Sequence, residues 1–304
     1  MTEMRDSSHR MSLVIQVLVL TVGVTCISFG SIFARYADAP AIVKSAYRLG
    51  ISALIVVPYA TLFHRREYLA MSRREFGLCA VSGFFLALHF ATWIASLDYT
   101  SIASSVVLVN TIPIWIALFG VITGAARMSR KMWFSVLVSF LGACIVGYKD
   151  VSFGETALKG NILAIAGSWS CAAYILCGRE VRKKLSLVPY IAICYGVAAV
   201  LLWSAVFAGG YSITGYSNVT WGAFIGSAVM SQILGHSSYN WALGCFSAGF
   251  VGIMLLGEPL VSVILAYFLF NEAPTTLKIV GGALLLYSIV IAAREESVGG
   301  QQEE

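Results

Sequence analysis

The sequence predicts an all-α integral membrane protein of ten transmembrane helices, and three observations carry that reading. Of 304 residues, 59% are hydrophobic and only 12% charged, with a mean hydropathy of +0.83. A water-soluble domain of that composition would expose large apolar patches. Apolar windows able to cross about 30 Å of hydrocarbon at about 1.5 Å per residue recur along the whole chain. They are long and continuous rather than short and alternating, so helices rather than barrel strands are the spanning element.

The first window, about 12–34, precedes "ADAP" at 37–40, which imitates a signal-peptide cleavage site. Its apolar stretch is too long for a signal and nine more windows follow, so a retained helix is expected. The second, about 40–63, carries Lys44, Tyr47 and Arg48; the third, about 76–97, carries His89 and Trp93. The fourth, about 102–124, has Asn110 and a central Pro113, and the fifth covers about 132–148. The sixth, about 160–177, holds Trp169 and Tyr174; the seventh covers about 189–207. The eighth, about 221–243, bears Gln232, His236, Tyr239 and Asn240; the ninth, about 248–270, contains Glu258 and Pro259; the tenth covers about 277–293. A proline removes a donor and clashes with the preceding turn, so kinks or breaks are expected at Pro113 and Pro259. Gly120 with Gly124, and Gly222 with Gly226, have the spacing that permits close helix contact.

Charge orients the bundle. With the amino terminus in the cytoplasm, the inner side receives Arg5, Arg10, Arg65, Arg66, Arg73, Arg74, Arg127, Arg130, Lys131, Arg179, Arg182, Lys183, Lys184 and Arg294. The outer side receives Arg35, Lys149, Lys159 and Lys278, and Lys44 and Arg48 stay inside a span. Fourteen against four is a positive-inside bias that places both termini in the cytoplasm of an inner (plasma) membrane protein. The net charge of +5 therefore reports orientation and not nucleic-acid binding. The seven cysteines form no C-x-x-C pair and read as small packing residues, so no metal and no cofactor is expected. Short connections leave no room for a nucleotide-binding domain, and no G-x-x-x-x-G-K-[ST] occurs.

A shift of 146 positions lays "SIASSVVLVNTIPIWIALF" over "SAGFVGIMLLGEPLVSVIL", with Leu97, Ser101 and Pro113 falling on Leu243, Ser247 and Pro259. Two copies follow, 1–150 and 151–304, each of five spans; the odd number inverts the second copy in the membrane. Glu258 aligns with Ile112, so the carboxyl has no counterpart in the first half.

"APAIVKSAYRLGISAL", "ASLDYTSIASSVVLVNTIPIW" and "LLGEPLVSVILAYFLFNEAPTTLKIVGGALLLYSIVI" resemble the EamA-type ten-helix group of the drug/metabolite transporter superfamily. The resemblance covers nearly the whole chain. It implies an arginine of the second span, here Arg48, and a glutamate followed by proline in the ninth, here Glu258 and Pro259. It also implies a cavity lined mainly by spans one, three, four, six, eight and nine, with five and ten outside, and export of amino acids or metabolites.

An ionisable side chain at membrane depth is costly unless paired, neutral or facing water. Glu258 lies about 15 Å into its helix, near the midplane, where burial favours the neutral acid, the form suited to proton coupling. The plainer reading is an acid tying off carbonyls freed by Pro259. Lys44 lies near enough to the outer boundary to snorkel, whereas the deeper Arg48 suits an anionic solute or a permanent acidic partner. His89 and Trp93 share one face of the third span; His236, Tyr239 and Asn240 form a stripe on the eighth. Asn110, Trp169 and Tyr174 could add hydrogen bonds and stacking surface, although each is also an ordinary packing residue. The mixture suits a small zwitterionic or polar solute; bare metal ions lack a carboxylate or thiolate cluster.

The expected function is therefore alternating-access secondary transport of amino acids or related metabolites, with import of a vitamin or nucleoside-like compound as the second reading. An intramembrane enzyme would need a constellation such as H-E-x-x-H or G-x-S-x-G, and a channel a readable filter; neither occurs. The partners expected are a small-molecule solute and the lipid bilayer, with monomer and homodimer both open.

Overall fold

A computed structural model describes residues 13–123, 129–148, 154–270 and 275–300. The described residues contain helices and no strand. α1 (Leu13–Tyr36), α2 (Ala41–Phe63) and α4 (Arg73–Ser96) occupy the first three predicted spans, with a short α3 (Arg65–Ala70) between the second and third. The fourth span is two helices, α5 (Ile102–Val109) and α6 (Ile112–Thr123), followed by α7 (Arg130–Gly147), α8 (Glu155–Arg182) and α9 (Leu187–Ala208). One rod then runs through α10 (Asn218–Gly226), a π-helical stretch (Ser227–His236) and α11 (Ser237–Ala242). The ninth span also divides, into α12 (Ala248–Leu255) and α13 (Glu258–Phe270), before α14 (Thr276–Gly300). Among described residues, five helices (α1, α2, α4, α8 and α9) are long and apolar enough to cross a membrane. Shorter apolar stretches, Ser104–Gly120 and Ala248–Val261, fall on the divided spans.

Serine hydroxyls start several of these helices by accepting from otherwise orphaned backbone donors. Ser72 and Glu75 form a reciprocal capping box at α4. Ser101 accepts from Ser104 N at 3.1 Å at the head of α5, and its repeat partner Ser247 accepts from Phe250 N at 3.2 Å at the head of α12. The equivalence continues into the breaks. α5 ends at Val109 and α12 at Leu255; α6 begins at Ile112 and α13 at Glu258, each 146 positions apart.

Of the kink or break expected at each proline, the structure shows a break. Each chain breaks just before its proline, and Pro113 and Pro259 stand second in the new helix. A proline lacks an N–H and its ring opposes the carbonyl four residues back, so the turn before it is lost while the first turn after it tolerates the missing donor. Bonds tighten around both breaks: Thr111 N donates to Leu108 O at 3.2 Å, and Gly257 N to Met254 O at 3.0 Å.

Packing is closest where glycines face backbone. α7 and α14 pair with each other; a Cβ on Gly142 would lie 2.8 Å from Gly281 O, and one on Gly281 2.7 Å from Gly142 O. Any larger residue there would push the two helices apart. The expected pair Gly222 and Gly226 behaves unequally, because Gly226 meets the Phe33 ring whereas Gly222 faces open space. Gly124 lies outside the described residues. A polar clasp joins the halves: Glu67 of α3 accepts from Ser186 N and from Ser186 Oγ, both at 2.6 Å, at the head of α9. Large apolar side chains such as Leu54, Leu62, Phe63, Phe84, Leu137 and Val200 are exposed around the bundle, as a lipid solvent requires. All seven cysteines are free.

Candidate functional site

Beside the two broken helices lies a small cavity of about 30 Å³, lined from seven of the predicted spans. Ile27 comes from α1, Arg48 from α2, His89 and Trp93 from α4, and Cys171 from α8. Asn110 and Ile112 enter from the first break, Leu255 and Glu258 from the second, and His236 and Tyr239 from the π-containing rod. Relative to the lining implied by resemblance, the second span is an addition, through Arg48. Ile112 and Glu258 occupy equivalent places at the heads of α6 and α13, so the cavity is hydrocarbon on one side of its pseudo-symmetry and carboxyl on the other.

The polar groups are held in place by specific partners. Arg48, 2% exposed, donates from Nε to Gln232 Oε1 at 2.9 Å, and its Cζ lies 4.2 Å from the centre of the Phe90 ring. Such a guanidinium is desolvated but oriented, with cation–π attraction supplying part of the compensation. Glu258 accepts from Asn110 Nδ2 through Oε2 over a long 3.5 Å. His89 donates from Nδ1 to Gly167 O at 2.9 Å, and its ring stacks on Trp93 with centroids 5.9 Å apart and planes at 6°. His236 Nδ1 is hydrogen-bonded to the Tyr239 hydroxyl. The centres of the two imidazole rings stand 6.4 Å apart.

Three other residues singled out from sequence sit elsewhere. Tyr174 donates its hydroxyl to Asn240 Oδ1 at 2.7 Å, and Asn240 Nδ2 donates to the Tyr195 hydroxyl at 3.2 Å. Both are fully buried and form a network beside the cavity rather than its wall. Trp169, 38% exposed, packs edge-on against Phe85 and Phe119, away from the cluster. Conversely, Ser231, Cys171 and Tyr195 were not singled out by sequence. A serine inside an apolar run was the available signal for Ser231, but its facing depends on the π-helical stretch.

Five buried side-chain polar atoms among the described residues have no hydrogen-bond partner: Arg48 Nη2, Trp93 Nε1, Gln232 Nε2, Ser231 Oγ and Glu258 Oε1. Arg48, Trp93 and Glu258 line the cavity, Gln232 is bonded to Arg48, and Ser231 Oγ lies near Gly30 together with Arg48. Each such group costs about 1–3 kcal/mol while unpaired. Concentrating them at one place is what a polar-solute site requires and a packed core avoids. Three are N–H donors, one is a hydroxyl and one a carboxyl oxygen, so the site offers groups for an anionic and a cationic end of one molecule. No group of three or more His, Cys, Asp or Glu residues among those described could hold a metal ion.

The profile of the EamA-like transporter family matches the chain twice, over residues 14–148 and 158–294. An uncharacterized transporter of Archaeoglobus fulgidus is 25% identical over 269 residues, covering 87% of this chain and 91% of the relative. The pseudopaline exporter CntI of Pseudomonas aeruginosa is 23% identical over 261 residues, covering 85% and 88% respectively. A solved crystal structure superposes with a TM-score of 0.77 at 14% identity, covering 94% of this chain and 99% of that one. That likeness speaks for the fold alone.

Proposed function

The chain belongs to the EamA-like transporter family, and from that premise we propose that this multi-pass membrane protein is a secondary carrier of amino acids or related small zwitterions. The observation that carries the reading is the group of unpartnered polar atoms, N–H donors and a carboxyl oxygen among them, around one cavity between the broken helices. A solute carboxylate would bind the free Nη2 of Arg48 and neighbouring N–H donors, and a solute ammonium the free oxygen of Glu258. The discontinuous helices beside the cavity are the elements expected to rock in alternating access. The charge distribution and the double family match support ten spans in two inverted halves, 1–150 and 151–304, with both termini in the cytoplasm of the inner membrane. The outward direction draws support from a relative named as an exporter.

Counterflow in proteoliposomes, with and without a pH gradient, tests the reading across amino acids, polyamines, vitamins and toxic cations. Saturable exchange of labelled amino acid is expected. Unsaturable flux would indicate a channel and overturn it. Glu258→Gln should abolish the response to the pH gradient; wild-type rates and unchanged pH dependence in that variant would remove Glu258 from coupling.

A further inference from the structure

Away from the cavity, cations gather at one end of the bundle. The Glu67–Ser186 bonds bring the connection around α3 against the connection between α8 and α9. Arg65 and Arg66 on α3, Arg73 and Arg74 on α4, and Lys183 and Lys184 just after α8 are all exposed. Three acids share this region, and each is committed: Glu67 to Ser186, Glu75 to Ser72 N and Oγ at 2.8 Å, and Glu180 to Lys183 at 2.6 Å. Arg74 and Lys184 both act electrostatically on Glu180, and Lys184 acts on Glu75, so the head of α4 and the end of α8 are neighbours. No ion pair among the described residues engages Arg65, Arg66, Arg73, Arg74 or Lys184. Arg73 and Arg74 also stand in the first turn of the 24-residue α4, where the helix dipole disfavours cations. Leu62, Phe63, Leu69 and Phe76, each more than half exposed, alternate with these charges along the chain.

We propose that this end of the bundle, centred on Arg65, Arg66, Arg73 and Arg74, is a docking surface for anionic phospholipid. A phospholipid answers both of its chemistries: the phosphate accepts from arginine forks, and the acyl chains cover the apolar side chains beside them. A soluble anion would meet the charges alone and leave those apolar groups in water. The positive-inside bias accounts for the side on which cations lie. It does not require that five of them stand near one another unpaired, with two set against a helix dipole. α3 carries both Arg65 with Arg66 and the Glu67 that holds Ser186, so a lipid seated there steadies the joint between the halves.

Native mass spectrometry of the full chain, released from an uncharged detergent and titrated with phosphatidylglycerol or phosphatidylcholine, follows the first bound lipid and needs neither a known solute nor a known orientation. A phosphate held by one arginine from each helix should favour phosphatidylglycerol about twenty-five-fold, at about fivefold per cation near a headgroup. Arg65→Gln with Arg66→Gln, and Arg73→Gln with Arg74→Gln, should each cut that preference about fivefold, whereas lysine at the same positions should keep most of it. Arg130→Gln with Arg294→Gln removes two exposed charges from the α7–α14 pair and should leave the preference unchanged. Equal affinity of the wild-type chain for the two lipids overturns the proposal, as does an equal loss in the Arg130 and Arg294 variant. Displacement of the lipid by glycerol 1-phosphate at the lipid's own concentration would make the site one for a soluble anion and overturn it too. Melting of the lipid-free variants separates docking from scaffold. Removing Arg73 and Arg74 relieves the dipole of α4 and should leave the melting temperature unchanged or raised; a fall of several degrees in both double variants would make the arginines structural and overturn the docking surface.

Discussion

Arg48→Met keeps much of the side-chain volume but leaves Gln232 Oε1 without its 2.9 Å donor, so a loss of about 1–3 kcal/mol is expected in a detergent melt. The same variant should lose exchange of carboxylate-bearing solutes, whereas Arg48→Lys, a point charge without the planar fork, should retain part of it. The residues of mixed chemistry were legible because ionisable and imidazole groups are rare in an apolar run. What the sequence could not show was which of them are already bonded: Tyr174 and Asn240 satisfy each other, and Trp169 turns to Phe85 and Phe119. Facing depends on rotation about each helix, and polar residues that complete a network look the same in sequence as polar residues that line a hole.

Helix breaks are the instructive feature among the elements. The 146-residue repeat located both prolines, but the loss of helix falls on Asn110–Thr111 and Leu256–Gly257, upstream of each. Because Pro259 stands in a first turn, Pro259→Ala should change thermal stability by less than about 1 kcal/mol. Slower exchange with an unchanged melt would identify the break as a moving part. Gly142→Leu, by contrast, inserts a side chain where the Gly281 carbonyl already lies 2.8 Å from the position of a Cβ. Separation of α7 from α14 should follow, lowering the melting temperature by several degrees, consistent with about 1–3 kcal/mol of overpacking. The π-helical stretch had no signature in hydrophobic period. It is the reason Ser231, Gln232 and His236 can all approach α1, α2 and α4.

For the molecule as a whole, composition and charge were enough to place it in a bilayer, since lipid admits so few architectures. Orientation is the prediction at this scale: reporters that fluoresce only in the cytoplasm should be bright when fused at either terminus, and a dark carboxy-terminal fusion would contradict the Lys and Arg sorting. Glu67 bears on the behaviour of the idle carrier. Its two carboxylate oxygens are both engaged with Ser186, tying a connection of the first half to one of the second across 119 positions of chain. Parting those two connections must break both 2.6 Å bonds together, so Glu67 raises the cost of opening that face. Glu67→Ala should therefore increase solute-independent leak of a pH-sensitive dye across proteoliposomes while leaving the affinity of the central site unchanged.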